Sequence, residues 1–324
     1  MKSSKPIRNY NKLVCIKESL ALLYWFDSGS AVYYDNYIHI IGSADRAVHH
    51  TSMHLVLDKF GNIIYNITAP FTANSELNLS LLNGKIYAIG GINGISVWVF
   101  DPTVAGYATG SWSEVNADFT AAIGERKMAW GTDYNGWFYI GGGWSGTNVY
   151  KTQNFTSWTF CANLPSQINK LSGCGCCVFN NKIYIIGGGA NQATNDFTGF
   201  YESEVNGYVY SFDPLTNTFN QVYQNQEHFG QTWLDAVSNN KYMYVIKGYI
   251  YPASISAQYP GGTNAVPTNN RGVLRSEDGV TWESLDLQYG HMFLSERHRA
   301  SVVNVGDIPY IIAGFGSKDV WTIV

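Results

Sequence analysis

The sequence predicts an all-β chain folded as a six-bladed β-propeller of four-stranded antiparallel blades, with the N-terminal strand completing the last blade. Three observations carry this prediction. An apolar run ending at or beside glycine recurs six times, at IHIIGS (38–43), IYAIGG (86–91), FYIGGG (138–143), IYIIGG (183–188), MYVIKG (243–248) and PYIIAG (309–314). A pair of turn-forming residues stands ahead of each copy. Measured at residues 43, 91, 142, 188, 248 and 314, the copies are 48, 51, 46, 60 and 66 residues apart, the period of a blade rather than of a smaller repeat.

Taken in order, each blade shows the same grammar. Blade one opens with SAVYY, turns at Asp35-Asn36 and continues into its glycine motif. Blade two runs LNLSLL, Asn83-Gly84, its motif, a third strand in VWVFDP (97–102) and a fourth in SWSEV. In blade three KMAWGT and Asn135-Gly136 precede the motif, and GCCVF with Asn180-Asn181 does so in blade four, followed by VYSFDP (209–214) and NTFNQVY. Blade five reads WLDAVS, Asn240-Lys241, its motif, and TWESLDL as fourth strand; blade six reads ASVVNV, Gly306-Asp307 and its motif. Asn, Asp and Gly are the residues that tolerate the positive φ of two-residue hairpins, so each pair predicts a strand on either side of it.

The termini decide closure. The last blade ends with a third strand, VWTIV, and has no fourth after it, whereas KLVCIKE (12–18) precedes blade one with no blade of its own. Pairing of 12–18 with 318–324 makes residues 1–324 a single propeller domain and removes two open edges that would otherwise recruit other chains. Closure that begins near residue 12 leaves residues 1–11 for an assembly partner to hold.

The glycine pair, the aromatic third strand ending in Asp-Pro, and the fourth-strand Trp or Phe resemble the Kelch repeat over nearly the whole chain. Arg275-Ser276-Glu277-Asp278-Gly279-Val280-Thr281-Trp282 is similar to the Asp-box turn of sialidases, one residue shorter than usual, and YKTQNFTSWT (150–159) is a degenerate relative. That resemblance implies a structural turn, with Ser and Asp bonding the backbone, Gly left-handed and Trp packed between sheets. Propellers of these classes include a sialate mutarotase, a copper oxidase acting on galactose, and sialidases, so a carbohydrate-active enzyme is one expectation. The copper oxidase also needs a thioether-forming Cys, which no cysteine here is placed to supply.

Composition narrows the partners. The chain has 324 residues, a formal charge of -4 and 14% charged residues, with no Lys/Arg run of the kind that phosphate backbones or anionic surfaces attract, so nucleic acid is not expected. No stretch of eighteen apolar residues occurs, and the basic N-terminus lacks a signal peptide's uninterrupted apolar core, so neither membrane insertion nor export is read from it. Synthesis in a cytoplasm follows, and five cysteines, three of them in CGCC (174–177), read as free thiols in strands. Cys174 and Cys176 should share one face and Cys177 the other. No metal and no other cofactor is expected. His49, His50 and His54 read as an exposed polar loop rather than a metal site.

In a four-stranded meander the loops leading into strand A and out of strand B lie at one end, here called the upper face. It gathers Asp27, Arg46, Glu76, Glu125, Arg126, His228, Tyr249, Tyr251, Arg297 and His298, together with long insertions at 189–206 and 249–270. Asp27, Arg46, Glu125, Arg126, His228, Tyr249, Tyr251, Arg297 and His298 are therefore the candidate ligand-binding residues. Within them Glu125, Arg126, Arg297 and His298 are the candidates for acid, base and anion-gripping roles. Against catalysis stands the expectation that Glu125 and Arg126 join neighbouring blades through ion pairs. The sequence thus favours a non-enzymatic module that binds a glycan or protein at the upper face, with a composition compatible with a bacteriophage tail or other virion component. The alternative is a sugar isomerase or glycan-cleaving propeller.

Overall fold

The computed structural model describes residues 13–17, 29–44, 50–189, 206–225, 229–231, 233–248, 272–285, 300–314 and 317–324. They form six four-stranded antiparallel sheets. Blade one contains β2 (Ser30–Tyr34), β3 (Tyr37–Ala44), β4 (His50–Leu57) and β5 (Ile63–Thr68); blade two contains β6 (Asn78–Leu82), β7 (Lys85–Ile89), β8 (Val97–Phe100) and β9 (Trp112–Asn116). Blade three is β10 (Trp130–Tyr134), β11 (Trp137–Gly141), β12 (Asn148–Thr152) and β13 (Thr159–Asn163), and blade four is β14 (Gly175–Phe179), β15 (Lys182–Ile186), β16 (Tyr208–Asp213) and β17 (Thr218–Gln224). Blade five is β18 (Asp235–Ser238), β19 (Met243–Ile246), β20 (Val273–Ser276) and β21 (Glu283–Ser284). In blade six β22 (Ser301–Val305), β23 (Ile308–Ile312) and β24 (Val320–Ile323) are joined by β1 (Leu13–Lys17), which runs antiparallel to β24 with Leu13 opposite Ile323. The N-terminal strand closes the ring as the sequence predicts. Each inner strand packs on the inner strands of both adjacent blades, from β2 round to β22 and back to β2.

The glycine motifs are continuously apolar because both faces of each blade are covered. On β15, Ile183 and Ile185 face blade three while Tyr184 and Ile186 face blade five. Six apolar clusters result, one in each gap between blades. Cys174 and Cys176 turn toward the gap with blade three and Cys177 toward blade five, as the strand alternation requires; all five cysteines are free thiols. Burial pushes the thiols of Cys174 and Cys177 up to about 12, which keeps them protonated and inert.

The hairpin pairs behave as their residue types demand in four blades: Asp35-Asn36, Asn83-Gly84, Asn135-Gly136 and Asn180-Asn181 all have positive φ at both positions. In blade six only Gly306 is left-handed. Blade five departs from the expectation. Ser238 pairs with Met243, so the loop holds four residues, and Asn239 Oδ1 accepts the backbone N–H groups of Lys241 and Tyr242 at 2.9 and 2.8 Å. Neither Asn240 nor Lys241 then needs a positive φ.

Two outer turns are built alike. In blade five Ser276 Oγ accepts from the N–H groups of Asp278 and Gly279, Asp278 Oδ1 accepts from those of Val280 and Thr281, Gly279 has φ +81, and Trp282 Nε1 donates to Gly279 O. In blade three Thr152 and Asn154 take the same two roles, with Phe155 left-handed at φ +60 in the glycine's place. Phe155 accepts that backbone because its ring is fully buried and stacks on Tyr87 at 4.3 Å.

A second expectation fails. His54 is not part of an exposed loop: it lies on β4, fully buried, with Nε2 2.9 Å from Nδ1 of the equally buried His39. Phe100 and Trp112 of blade two pack edge-on against it. The alternation of an antiparallel strand places His54 inward, and the polar ring is accepted there because its neighbour is a second imidazole. His50 opens β4, half-buried, and meets Ser75 Oγ at 2.9 Å, while His49 falls outside the described residues.

Candidate functional site

Four inner strands are entered through the same device. The residue two positions before the strand is left-handed in blades two to five: Glu76 (φ +56), Met128 (φ +56), Gly173 (φ +59) and Trp233 (φ +55). Three of the four are not glycine and pay the left-handed penalty of roughly 1 kcal/mol each, so the surrounding ring must hold them there. The first residue of the strand then reaches the next blade. Ser30 Oγ donates to Leu77 O, Asn78 Nδ2 to Ala129 O at 3.0 Å, and Ser301 Oγ to Gly29 O at 2.6 Å. Asp235 occupies this position in blade five with the polarity reversed, accepting from the backbone N–H of Ala300.

These segments converge on the channel axis. A cavity of about 120 Å³ at the upper end is lined by all six blades, including Ser30, Glu76, Met128, Cys174, Trp233 and Asp235. Blades two and five are opposite members of the ring, so Glu76 and Asp235 line the cavity from opposite sides. Burial, with Glu76's charge as a second cause, holds the Asp235 carboxyl well above the usual carboxylate range. Beside the cavity Ile92, Met128 and Trp233 form a small apolar cluster with half-buried Trp144 against it. Trp144 Nε1 meets Met128 Sδ at 3.3 Å, and Lys127 Nζ lies 5.1 Å from the Trp144 ring while pairing with Glu125 at 2.9 Å.

The structure separates the sequence-predicted Glu125-Arg126 pair. Glu125 is exposed on the rim with Lys127. Arg126 is buried, 3% exposed, and its guanidinium turns into blade three: Nη1 donates to Gly142 O at 3.2 Å, and Nη2 to Ile123 O at 2.6 Å and Asn148 Oδ1 at 2.7 Å. Tyr150 lies 5.4 Å beneath it, and burial lowers its pKa to about 10. Gly146 makes the room, since a Cβ there would stand 1.9 Å from Nη1. Arg126→Met is therefore expected to cost about 3 kcal/mol by stranding buried acceptors. Denaturant unfolding checks this, and an unchanged midpoint would contradict the structural role.

Asp27, Arg46, His228, Tyr249, Tyr251, Arg297 and His298 lie outside the described residues, as do residues 1–11. Sequence reasoning placed Glu76 on the upper face but missed Asp235 and Trp233, which sit inside WLDAVS, because a strand-opening Asp looks like ordinary solvated polarity. The available signal was positional: Ser30, Asn78, Asp235 and Ser301 are all polar first residues of inner strands.

A family model described as Kelch motif matches residues 78–117 and 170–222, which correspond to blades two and four. No curated protein sequence matches the chain. Among solved structures, the one described as "Structure of YjhT" superposes with a TM-score of 0.63 at 14% identity, covering 94% of this chain and 95% of that one, a likeness of fold alone. With six four-stranded blades in a closed ring and the motif matched in two of them, the chain is a Kelch-like six-bladed β-propeller.

Proposed function

We propose that the protein is a non-enzymatic recognition module that engages a glycan or another protein through its upper face. The observation that carries this reading is the platform beside the channel. Trp144 offers a flat, half-buried ring over an apolar floor of Ile92, Met128 and Trp233, flanked by the Lys127–Glu125 pair. An aromatic face edged by hydrogen-bonding and charged groups suits both a sugar ring and a protein hot spot. The competing reading, a carbohydrate-active enzyme using Glu125, Arg126, Arg297 and His298, is weakened by the commitment of Arg126 to three acceptors within its own blade. A virion setting is proposed on composition alone.

The test is a glycan array with a parallel pull-down, using wild type and Trp144→Ala. A wild-type signal that falls at least about tenfold in the variant is expected, the loss of one aromatic contact. Blank results in both assays, or equal binding by the variant, would overturn the assignment. Turnover of a glycan panel by wild type that is lost in Glu125→Gln would favour the enzyme.

A further inference from the structure

A second cavity lies away from the channel, built from the linker that joins blades one and two (residues 70–77) and from blade two itself. It encloses about 230 Å³, against roughly 10–15 Å³ for each water, so the about twelve non-hydrogen atoms of one hexose fit inside. Loop 90–96 separates it from the platform: Ile92 belongs to the platform floor, whereas Gly90 and residues 93–96 line the cavity. The walls are held before any ligand arrives. Asn74, 3% exposed, donates from Nδ2 to Gly90 O at 2.6 Å and accepts at Oδ1 from the N–H groups of Ser75 and Asn93, both at 3.0 Å. Gly94 has to be glycine beside that knot, because a Cβ there would stand 2.2 Å from Gly90 O. Bonds from Gly90 N–H to Ser96 O at 3.1 Å and from Phe119 N–H to Ile95 O at 2.9 Å fix the rest of the loop. A preformed site escapes the ordering cost that weakens binding.

The chemistry of the walls is specific. Ala88, Trp98 and Glu114 stand in one cross-strand row and all line the cavity. Ala88 leaves the space, and the exposed Glu114 carboxylate stands beside the indole on the same face of the sheet. Phe71 extends the aromatic wall, its ring centroid 6.2 Å from that of Trp98, and Trp98 Nε1 donates to Ser96 Oγ at 2.9 Å, which locks the indole. Thr72 and Asn93 add a hydroxyl and an amide, and no Lys, Arg or His lines the cavity among the described residues. We propose that this cavity binds a neutral pyranose, as a second subsite beside the platform; the inference rests on the glycan reading of the upper face. The apolar face of the sugar ring lies on Trp98, and its hydroxyls bond Glu114, Thr72 and Asn93. An anionic sugar would set its carboxylate against Glu114 with no cation to receive it. A Lys or Arg side chain of a partner would use Glu114 and the indole but not the hydroxyl and amide, which a sugar engages together with them.

The experiment titrates the full chain, carrying ¹⁵N-labelled Trp, with the methyl glycosides of glucose, galactose, mannose and N-acetylglucosamine. It follows the indole N–H signals by NMR, that of Trp98 being assigned with Trp98→Phe. At least one glycoside is expected to shift the Trp98 signal with a Kd of roughly 1 mM, and the methyl glycoside of sialic acid to leave it in place. Glu114→Ala should weaken that binding at least about tenfold, and Trp98→Ala should abolish it. Glu114 is exposed, so its variant keeps the test decisive should Trp98→Ala fail to fold. Absence of any glycoside that shifts Trp98, undiminished affinity in Glu114→Ala, or a preference for an N-acetylated arginine amide, the probe for a cationic peptide, would overturn the proposal. A shift confined to the Trp144 signal would overturn it too, and would leave the platform reading standing.

Discussion

Deletion of residues 1–18 should collapse the stability of the entire ring. The deleted segment contains β1, whose Leu13, Val14, Cys15 and Lys17 pair with Ile323, Thr322, Trp321 and Val320. Leu13 is buried in the gap between blades five and six, with Cys15 packed against the same cluster and Ile16 against the gap with blade one. Removing them exposes β24 as an open edge and uncovers Ile323 and Trp321, both buried in the intact ring. The lost side-chain burial alone amounts to about 4 kcal/mol at roughly 1.5–3 kcal/mol per large apolar residue, before the lost ladder bonds are counted. Much of a typical domain's margin of about 5–15 kcal/mol then disappears. The truncated chain is expected to melt at least about 10 °C lower or to aggregate through the bare edge. Differential scanning calorimetry with light scattering checks this, and a truncated chain that melts like the full one would show that β1 does not close the ring.

Mild acid should destabilise the protein through its buried imidazole pair. Burial lowers the pKa of His39 from 6.5 to about 4, and burial together with the charge of His39 pushes His54 well below its ordinary value. The native state thus binds fewer protons than the unfolded chain between these limits. The stabilising contribution is complete above about pH 6.5 and is lost as pH falls toward about 4. For His39 alone the difference corresponds to about 3 kcal/mol. Carboxylates held down, such as Asp101 at about 2 through bonds from Thr103 and Lys85, lose their contribution at lower pH, whereas Asp133 and Asp235, held up by burial, act in the opposite sense as pH falls, so the histidine share is read from the double variant. Replacing both rings, His39→Phe with His54→Phe, should flatten the stability profile between pH 6.5 and 4 while keeping the aromatic packing against Phe100 and Trp112. Parallel profiles for wild type and the double variant would assign the acid sensitivity elsewhere.

The difference between what was legible and what was not follows the range of the forces involved. Blade number, hairpin positions and the closing strand could be read because they depend on local backbone preference and on short apolar patterns: an Asn-Gly pair turns the chain whatever surrounds it, and IYIIGG is apolar throughout because two neighbouring blades cover it. The fate of single polar residues could not be read. His54 looked like loop polarity until the strand placed it against His39, and Arg126 looked like a ligand-gripping cation until Gly146 opened the pocket that draws its guanidinium into blade three. Asp235 carried no mark in WLDAVS, because it shares its cavity with Glu76, which stands 159 positions earlier in the chain and half a ring away. The sequence by itself determined the ring, since five blades are each built from contacts within about fifty residues and the sixth is completed by the N-terminal strand whose apolar pattern marks it. Only the tertiary structure decided which polar groups share a cavity, because closing the ring brings opposite blades to a common axis that no sequence spacing encodes.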